Sequence, residues 1–226
     1  GELKKIMQPF TYPIYSEELN TDFKVPYRFG DSFNDTLYAF SAIDVKSHWI
    51  SRHSQRVAHY AFLTAEELNL EESYKSELEV AALLHDIGKI GVPDSILNKP
   101  APLTNEEWTK MKKHPLIGAE IIGKISQYDK VVPGIRQHHE RIDGKGYPDG
   151  IAGDEICFIA KIISIADSFD AMTNERPYSS GMSKENTFDI MEKGAGTQWD
   201  SEILKAFIKP LSYIEINSDT NNGKGK

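Results

Sequence analysis

His85, Asp86 and Lys89 stand together in His85-Asp86-Ile87-Gly88-Lys89, directly after the apolar run Val80-Ala81-Ala82-Leu83-Leu84. The run reads as the end of a buried helix, so an imidazole and a carboxylate arrive side by side in an apolar interior. An ionised carboxylate in such a place is costly unless it is paired or bound to a metal. A positive charge is therefore expected beside Asp86. A histidine next to an aspartate offers a nitrogen and up to two oxygens to one cation, and a carboxylate can bridge two cations. Lys89, near one helical turn from both, could hold an anion at the same place. The simpler reading is that His85 and Asp86 only cap or hydrogen-bond the helix end, and the rest of the chain decides between the two.

Four more histidines and a second aspartate occupy comparable positions. His53 lies on one stripe with Trp49, Val57, Tyr60 and Thr64, where a lone histidine is more often a hydrogen-bonded core residue than a ligand. His114 precedes Pro115, which places it at a helix junction where a side chain can be aimed into a cavity. His138-His139 ends a helix and is followed by Glu140 to Gly150, a stretch so rich in glycine and proline that it must be a loop. Asp167 and Asp170 interrupt an apolar helix over Phe158–Met172, and Asp170 reads equally well as a structural hydrogen-bonder. Five imidazoles and two carboxylates, His53, His85, His114, His138, His139, Asp86 and Asp167, would be costly in one apolar core without metal. With no thiolate among them, they suit iron, manganese, nickel or zinc.

The elements that must position these groups read as helices throughout. Phe33, Leu37, Phe40 and Ile43 recur at helical spacing over Ser32–Lys46, and a second helix covers Ser47–Leu68. Thr104 and Glu107 have the form of a capping box that opens a short helix, and further helices are expected over residues 131–139, 158–172, 183–193 and 200–211. The fold class is all-α: one helical bundle domain over residues 31–214, an irregular lead-in over 1–30 with room for one short strand pair, and a flexible tail over 215–226. The formal charge of −8 over 226 residues argues against a grip on duplex nucleic acid. A phosphate ligand must then be held by local charge, from metal or a few Lys and Arg. A single cysteine, Cys157, excludes an internal disulfide and a cysteine-based zinc site, and reads as a small buried hydrophobe. No apolar run approaches the length of a membrane span and no leader peptide is visible, so a soluble cytoplasmic domain without membrane contact is expected.

Two blocks in this order carry a resemblance. The first is His85-Asp86-Ile87-Gly88-Lys89-Ile90-Gly91 with Pro93, and the second is His138-His139-Glu140, Asp143-Gly144 and Gly146-Tyr147-Pro148. Upstream stand His53-Ser54, Arg56 and Val57; between the blocks stands His114-Pro115; downstream stand Ile165-Ala166-Asp167, Asp170-Ala171-Met172-Thr173 and Arg176-Pro177-Tyr178. Over roughly residues 45–210 the chain resembles the HD-GYP family, a subset of the HD phosphohydrolases. The resemblance implies two divalent ions bridged by Asp86, with His53, His85 and Asp167 completing one site and His114, His138 and His139 the other. It further implies that Lys89 and Arg176 touch substrate phosphate, that Gly146-Tyr147-Pro148 shapes a loop beside the site, and that Asp143 fixes that loop or a water.

Iron or manganese is the expected metal, with nickel or zinc also suited. Some members hold a third metal through a glutamate one turn before the first histidine; Trp49 occupies that position here, which favours two. Ser179 stands where many members have a basic residue, which puts one phosphate contact in doubt.

Charge arithmetic agrees with this picture. Two divalent ions bring four positive charges, Asp86 and Asp167 cancel two, a bridging hydroxide a third, and one phosphodiester the last. The resemblance thus implies a phosphodiesterase that opens cyclic di-GMP to pGpG and onward to GMP, with 3′,3′-cyclic GMP-AMP as the alternative substrate. A simpler HD nucleotidase or alarmone hydrolase would have no need of the second block. A module that binds the nucleotide or a partner protein without cleaving it is the non-enzymatic reading, against which stands the presence of all seven ligand candidates. A homodimer or an upstream sensor domain would be the protein partners.

Overall fold

The computed structural model describes residues 48–174 and 181–221. The lead-in over 1–30, the expected helix over Ser32–Lys46, the Trp49 side chain, Arg176 and Ser179 lie outside the described residues.

Among the described residues the regular structure is helical, with one isolated backbone bridge between Ala195 and Trp199. The helices are α1 (His48–Glu67), α2 (Glu72–Leu84), α3 (Asp94–Leu97), α4 (Asn105–Met111), α5 (His114–Ile122), α6 (Val132–Gln137), α7 (Phe158–Thr173), α8 (Lys184–Lys193) and α9 (Ser201–Asn221). Short 3₁₀ segments cover Ile87–Gly91, Ser126–Tyr128 and Gly153–Glu155. The expected all-α class is what forms.

The core follows from spacing. Val57, Ala61 and Ala65 recur every four residues on α1 and are fully buried, which brings α1 against α2, α7 and α9. Helix α7 buries Ile159, Ile162, Ile163, Ala166 and Phe169, and Phe169 meets Tyr60 and Phe207 edge-on at 5.1 and 5.2 Å between centroids. Helix α1 ends with Asn69 in the left-handed region (φ 53°), while the Leu70 N–H reaches back to the Ala65 carbonyl at 3.0 Å. The capping box read from sequence opens α4: Thr104 Oγ1 accepts from the Glu107 N–H at 3.3 Å, and Glu107 Oε2 from the Thr104 N–H at 2.7 Å.

Two expectations change. Helix α9 continues to Asn221, into the stretch over 215–226 expected to be a flexible tail. An established helix adds a hydrogen bond with each residue it fixes, and Pro210 removes a single bond, to the Ala206 carbonyl. Cys157 is half-buried and lies at the start of α7 outside the core, its N–H donating to Gln137 Oε1 at 2.8 Å.

The segment that carries Asp86 is pressed against α5 at Gly88. A Cβ built there would stand 1.9 Å from the His114 carbonyl oxygen and 2.5 Å from the Gly118 nitrogen, both backbone atoms that cannot swing aside. Gly88→Ala should therefore separate these two segments and cost about 3 kcal/mol or more. For a chain of this size, that lowers Tm by roughly 6–12 °C, measurable by calorimetry. Gly153→Ala makes the comparison, since its site has open space around the missing Cβ and only a positive φ (55°) to oppose the change.

Candidate metal centre

Three of the five histidines are fixed in the same way. His85, His114 and His138 place Nδ1 at 2.7, 2.8 and 2.7 Å from the carbonyls of Ala82, Met111 and Ile135, each three residues earlier and each in the last turn of a helix. Those carbonyls lack intrahelical partners. A carbonyl can only accept, so each Nδ1 carries the proton and each Nε2 presents a lone pair. The three Nε2 atoms converge: His114 and His138 bring theirs to 3.3 Å of each other.

Asp86, 1% exposed, sits between them with its two oxygens divided. Oδ1 lies 3.3 Å from His114 Nε2, while Oδ2 lies 3.4 Å from His85 Nε2 and 3.8 Å from His53 Nε2. Lys89 Nζ is 2.5 Å from Oδ2, so the lysine expected to hold an anion touches the carboxylate itself. Asp167 straddles the site in a similar way, Oδ1 at 3.1 Å from His53 Nε2 and Oδ2 at 4.0 Å from His139 Nδ1. The structure thus brings together all seven residues singled out in the sequence as metal donors.

Six of the seven form two groups with donor atoms within 4.8 Å, His114, His138 and His139 in one and His53, His85 and Asp86 in the other, while Asp167 stands beside the second through His53. His85 Nε2 and Asp86 Oδ1 are buried with no hydrogen-bond partner. Lone pairs facing one another and an acceptor without a donor repel; a cation among them removes the conflict. Imidazole nitrogen and carboxylate oxygen, without thiolate, fit a divalent transition ion.

His53 is fixed by a carboxylate. Its Nδ1 lies 2.6 Å from Asp170 Oδ2, and Arg56 grips the same carboxylate through Nε at 2.5 Å and Nη2 at 2.9 Å. Asp170, left open in the sequence as a structural hydrogen-bonder, therefore orients a proposed ligand, as outer carboxylates commonly do. The signal was the one-turn spacing between His53 and Arg56 and the burial of Asp170 on an apolar face.

The loop after His139 is pinned along its length. Arg141 pairs with Asp143 at 2.8 and 2.9 Å, the Asp143 N–H donates to the Thr197 carbonyl at 2.8 Å, and Asp143 Oδ1 also accepts the Lys145 N–H at 3.2 Å. Of the two tasks expected of Asp143, its contacts are those of holding the loop. Arg136 and Asp149 add a two-pronged pair at 2.8 Å on the outside. Tyr147 lies over His139, centroids 4.7 Å apart and planes 27° from parallel, with Lys112 Nζ 5.3 Å from the tyrosine ring centroid. Glu140, Arg136 and Arg141 were not assigned a role in the sequence, because they hold the loop through backbone amides and through the side chains of Asp149, Asp143 and Gln198.

Protonation divides the site. Burial pushes His114 down to about 3 and His139 to about 4, and drives His138 well below the ordinary imidazole value, so this group is neutral at neutral pH. Burial opposes charge on Asp86 as well, yet Lys89 and the surrounding imidazoles hold its carboxyl well below the usual carboxylate range. Burial also pulls His53 down, but its hydrogen bonds to Asp167 and Asp170 outweigh this and raise it to about 9. In metal-free protein His53 should therefore titrate near pH 9 in an NMR titration of the imidazole. Its folded pKa exceeds the unfolded value near 6.5, so the stability it contributes is complete below about pH 6.5 and is lost as pH rises through 9. A midpoint near 6.5 would contradict the pairing.

Residues 40–203 match the HD domain family. The chain is 40% identical over 172 residues to the 3′3′-cGAMP-specific phosphodiesterase 3 of Vibrio cholerae, covering 76% of this chain and 37% of that protein. It is 39% identical over 193 residues to the cyclic di-GMP phosphodiesterase of Thermotoga maritima, covering 81% of this chain and 51% of that protein. Among solved structures, the cyclic GMP-AMP specific phosphodiesterase V-cGAP3 of V. cholerae matches with a TM-score of 0.53 and 33% identity, over 81% of this chain and 42% of that one. The chain thus spans a third to a half of the relatives' length. Its helical fold, its converging His and Asp side chains and this match agree: the chain belongs to the HD domain family and carries the paired HD and GYP motifs of the HD-GYP group.

Proposed function

We propose that this chain is a metal-dependent phosphodiesterase that hydrolyses cyclic di-GMP to pGpG and onward to GMP, working in the cytoplasm. The observation that carries the reading is the division of Asp86, one oxygen toward His114 and the other toward His53 and His85, with His85 Nε2 and Asp86 Oδ1 both buried and without a hydrogen-bond partner. His53, His85, Asp86 and Asp167 would hold one divalent ion, and His114, His138, His139 and the shared Asp86 a second, iron or manganese by preference and nickel or zinc by ligand type. Bound there, such ions would acidify water and neutralise phosphate oxygens.

The chain's own residues supply the rest. Lys89, at the edge of Asp86, offers a charge that can turn to a phosphoryl oxygen as negative charge builds on it. The neutral imidazoles of His114, His138 and His139 add no charge to the site, whose negative charge comes from Asp86 and Asp167. Tyr147, with Gly146 and Pro148, forms the wall beside His139, and Asp143 holds that wall in place; Arg176 would add a second phosphate contact. The Asp170–Arg56 pair keeps the imidazole of His53 turned toward Asp86.

Elemental analysis of protein purified without chelating resin should find about two divalent ions per chain. Asp86→Ala and His85→Ala should each lose metal and lower kcat/KM for cyclic di-GMP on the order of 1,000-fold or more, since several kcal/mol of transition-state stabilisation go with the ions. Variants equal to wild type would refute the catalytic reading.

A second substrate, 3′,3′-cyclic GMP-AMP, is favoured by the 40% identity to a protein named for it. Parallel measurement of kcat/KM on the two cyclic dinucleotides, with manganese or ferrous iron, should show the larger value for cyclic di-GMP. The reverse order would transfer the assignment to the mixed dinucleotide.

A further inference from the structure

Four of the five histidines have a ring N–H locked by a hydrogen bond: His53 by Asp170, and His85, His114 and His138 by backbone carbonyls. Among the described residues no such bond reaches His139, whose Nδ1 stands 4.0 Å from Asp167 Oδ2. One face of its ring is instead covered by Tyr147, nearly parallel at 4.7 Å. Tyr147 is held there by the backbone. Its N–H donates to the His139 carbonyl at 3.2 Å, and Gly146 passes so close to the start of the loop that a Cβ would stand 2.4 Å from Glu140 Cα and 2.5 Å from the Arg141 nitrogen.

The far side of the same loop is anchored by Glu140, 2% exposed, which follows His139 directly. Its Oε1 accepts the Asp149 N–H at 2.6 Å and the Gly150 N–H at 3.1 Å, while Oε2 is buried with no hydrogen bond. A buried carboxylate spent on two backbone amides is costly for a loop that merely connects α6 to α7. The cost has a use if the loop carries a part of the site.

We propose that Glu140 is a positioning residue of the metal centre: it fixes the loop that lays Tyr147 on His139, and the stacked ring does for this imidazole what a hydrogen bond does for the other four. The inference rests on the two-ion reading above. Residues that orient a ligand typically alter metal affinity 10- to 100-fold when removed.

The test is a Mn²⁺ titration of chelator-treated protein by equilibrium dialysis. Glu140→Ala and Tyr147→Ala should each weaken one of two Mn²⁺ sites by about 10- to 100-fold and leave the other unchanged. The double variant should lose no more than the larger single loss, because both changes remove one device. Glu140→Gln, which keeps an acceptor oxygen for the two amides, and Tyr147→Phe, which keeps the ring, should bind Mn²⁺ nearly as wild type does. Additive losses, or two unweakened sites in Glu140→Ala with native circular dichroism, would overturn the proposal. Should Glu140→Ala fold poorly, unchanged Mn²⁺ affinity in Tyr147→Ala overturns it alone.

Wild type that binds one Mn²⁺ per chain would defeat the two-ion reading separately. Positioning is then decided in metal-free protein by the His139 Hε1 resonance. The part of its ring-current shift that comes from Tyr147, read from Tyr147→Ala, should be lost in Glu140→Ala as well, and its persistence there would reject the proposal.

Discussion

A carboxylate inside an apolar helical bundle is the constraint on which the rest of this structure depends. Asp86 is almost wholly withdrawn from solvent, at the point where α2 gives way to a 3₁₀ turn, and burial alone would favour its neutral form. It stays ionised because Lys89 lies against it and the charged imidazole of His53 stands 3.8 Å away. Bringing the histidines to one carboxylate requires α1, the end of α2, the start of α5 and the end of α6 to meet, with Asp167 added from α7. Close approach is obtained with small residues, alanine on α1 and glycine at 88, 118 and 134, where a side chain would strike a neighbour.

The two halves of the site are chemically unlike. Around His114, His138 and His139 burial keeps the rings uncharged, so they are donors and nothing more. Around His53 three carboxylates, Asp86, Asp167 and Asp170, surround one imidazole, and Arg56 offsets only the last. On the two-ion reading, the His114 half would take up an ion without releasing protons, whereas the His53 half would exchange a proton for it, which would make that side the more sensitive to pH.

Much of this was legible in the sequence because the helical elements are strongly periodic and the donors fall at their ends. His85-Asp86 after an apolar run, His114 before a proline and His138-His139 before a glycine-rich loop each state a position and an exposure. Which lone pair faces inward was not legible, since it depends on a hydrogen bond from Nδ1 to a carbonyl, and every histidine has such carbonyls behind it in sequence. Glu140 was hidden for a related reason. Its partners are the amides of Asp149 and Gly150, and backbone groups carry no residue-specific signature. Lys89 was read as a phosphate contact, but the close carboxylate next to it is the stronger attraction at rest.

The imidazole N–H bonds to Ala82, Met111 and Ile135 have a consequence for how such a centre can change over time. Each satisfies a carbonyl that the end of its helix leaves open, so these side chains are fasteners of the scaffold as well as donors. Replacing one removes a capping contact along with a ligand, and the damage reaches the packing of the neighbouring helix. On the proposed reading, loss of a metal donor with least damage to the scaffold would come through His139, whose ring N–H closes no helix.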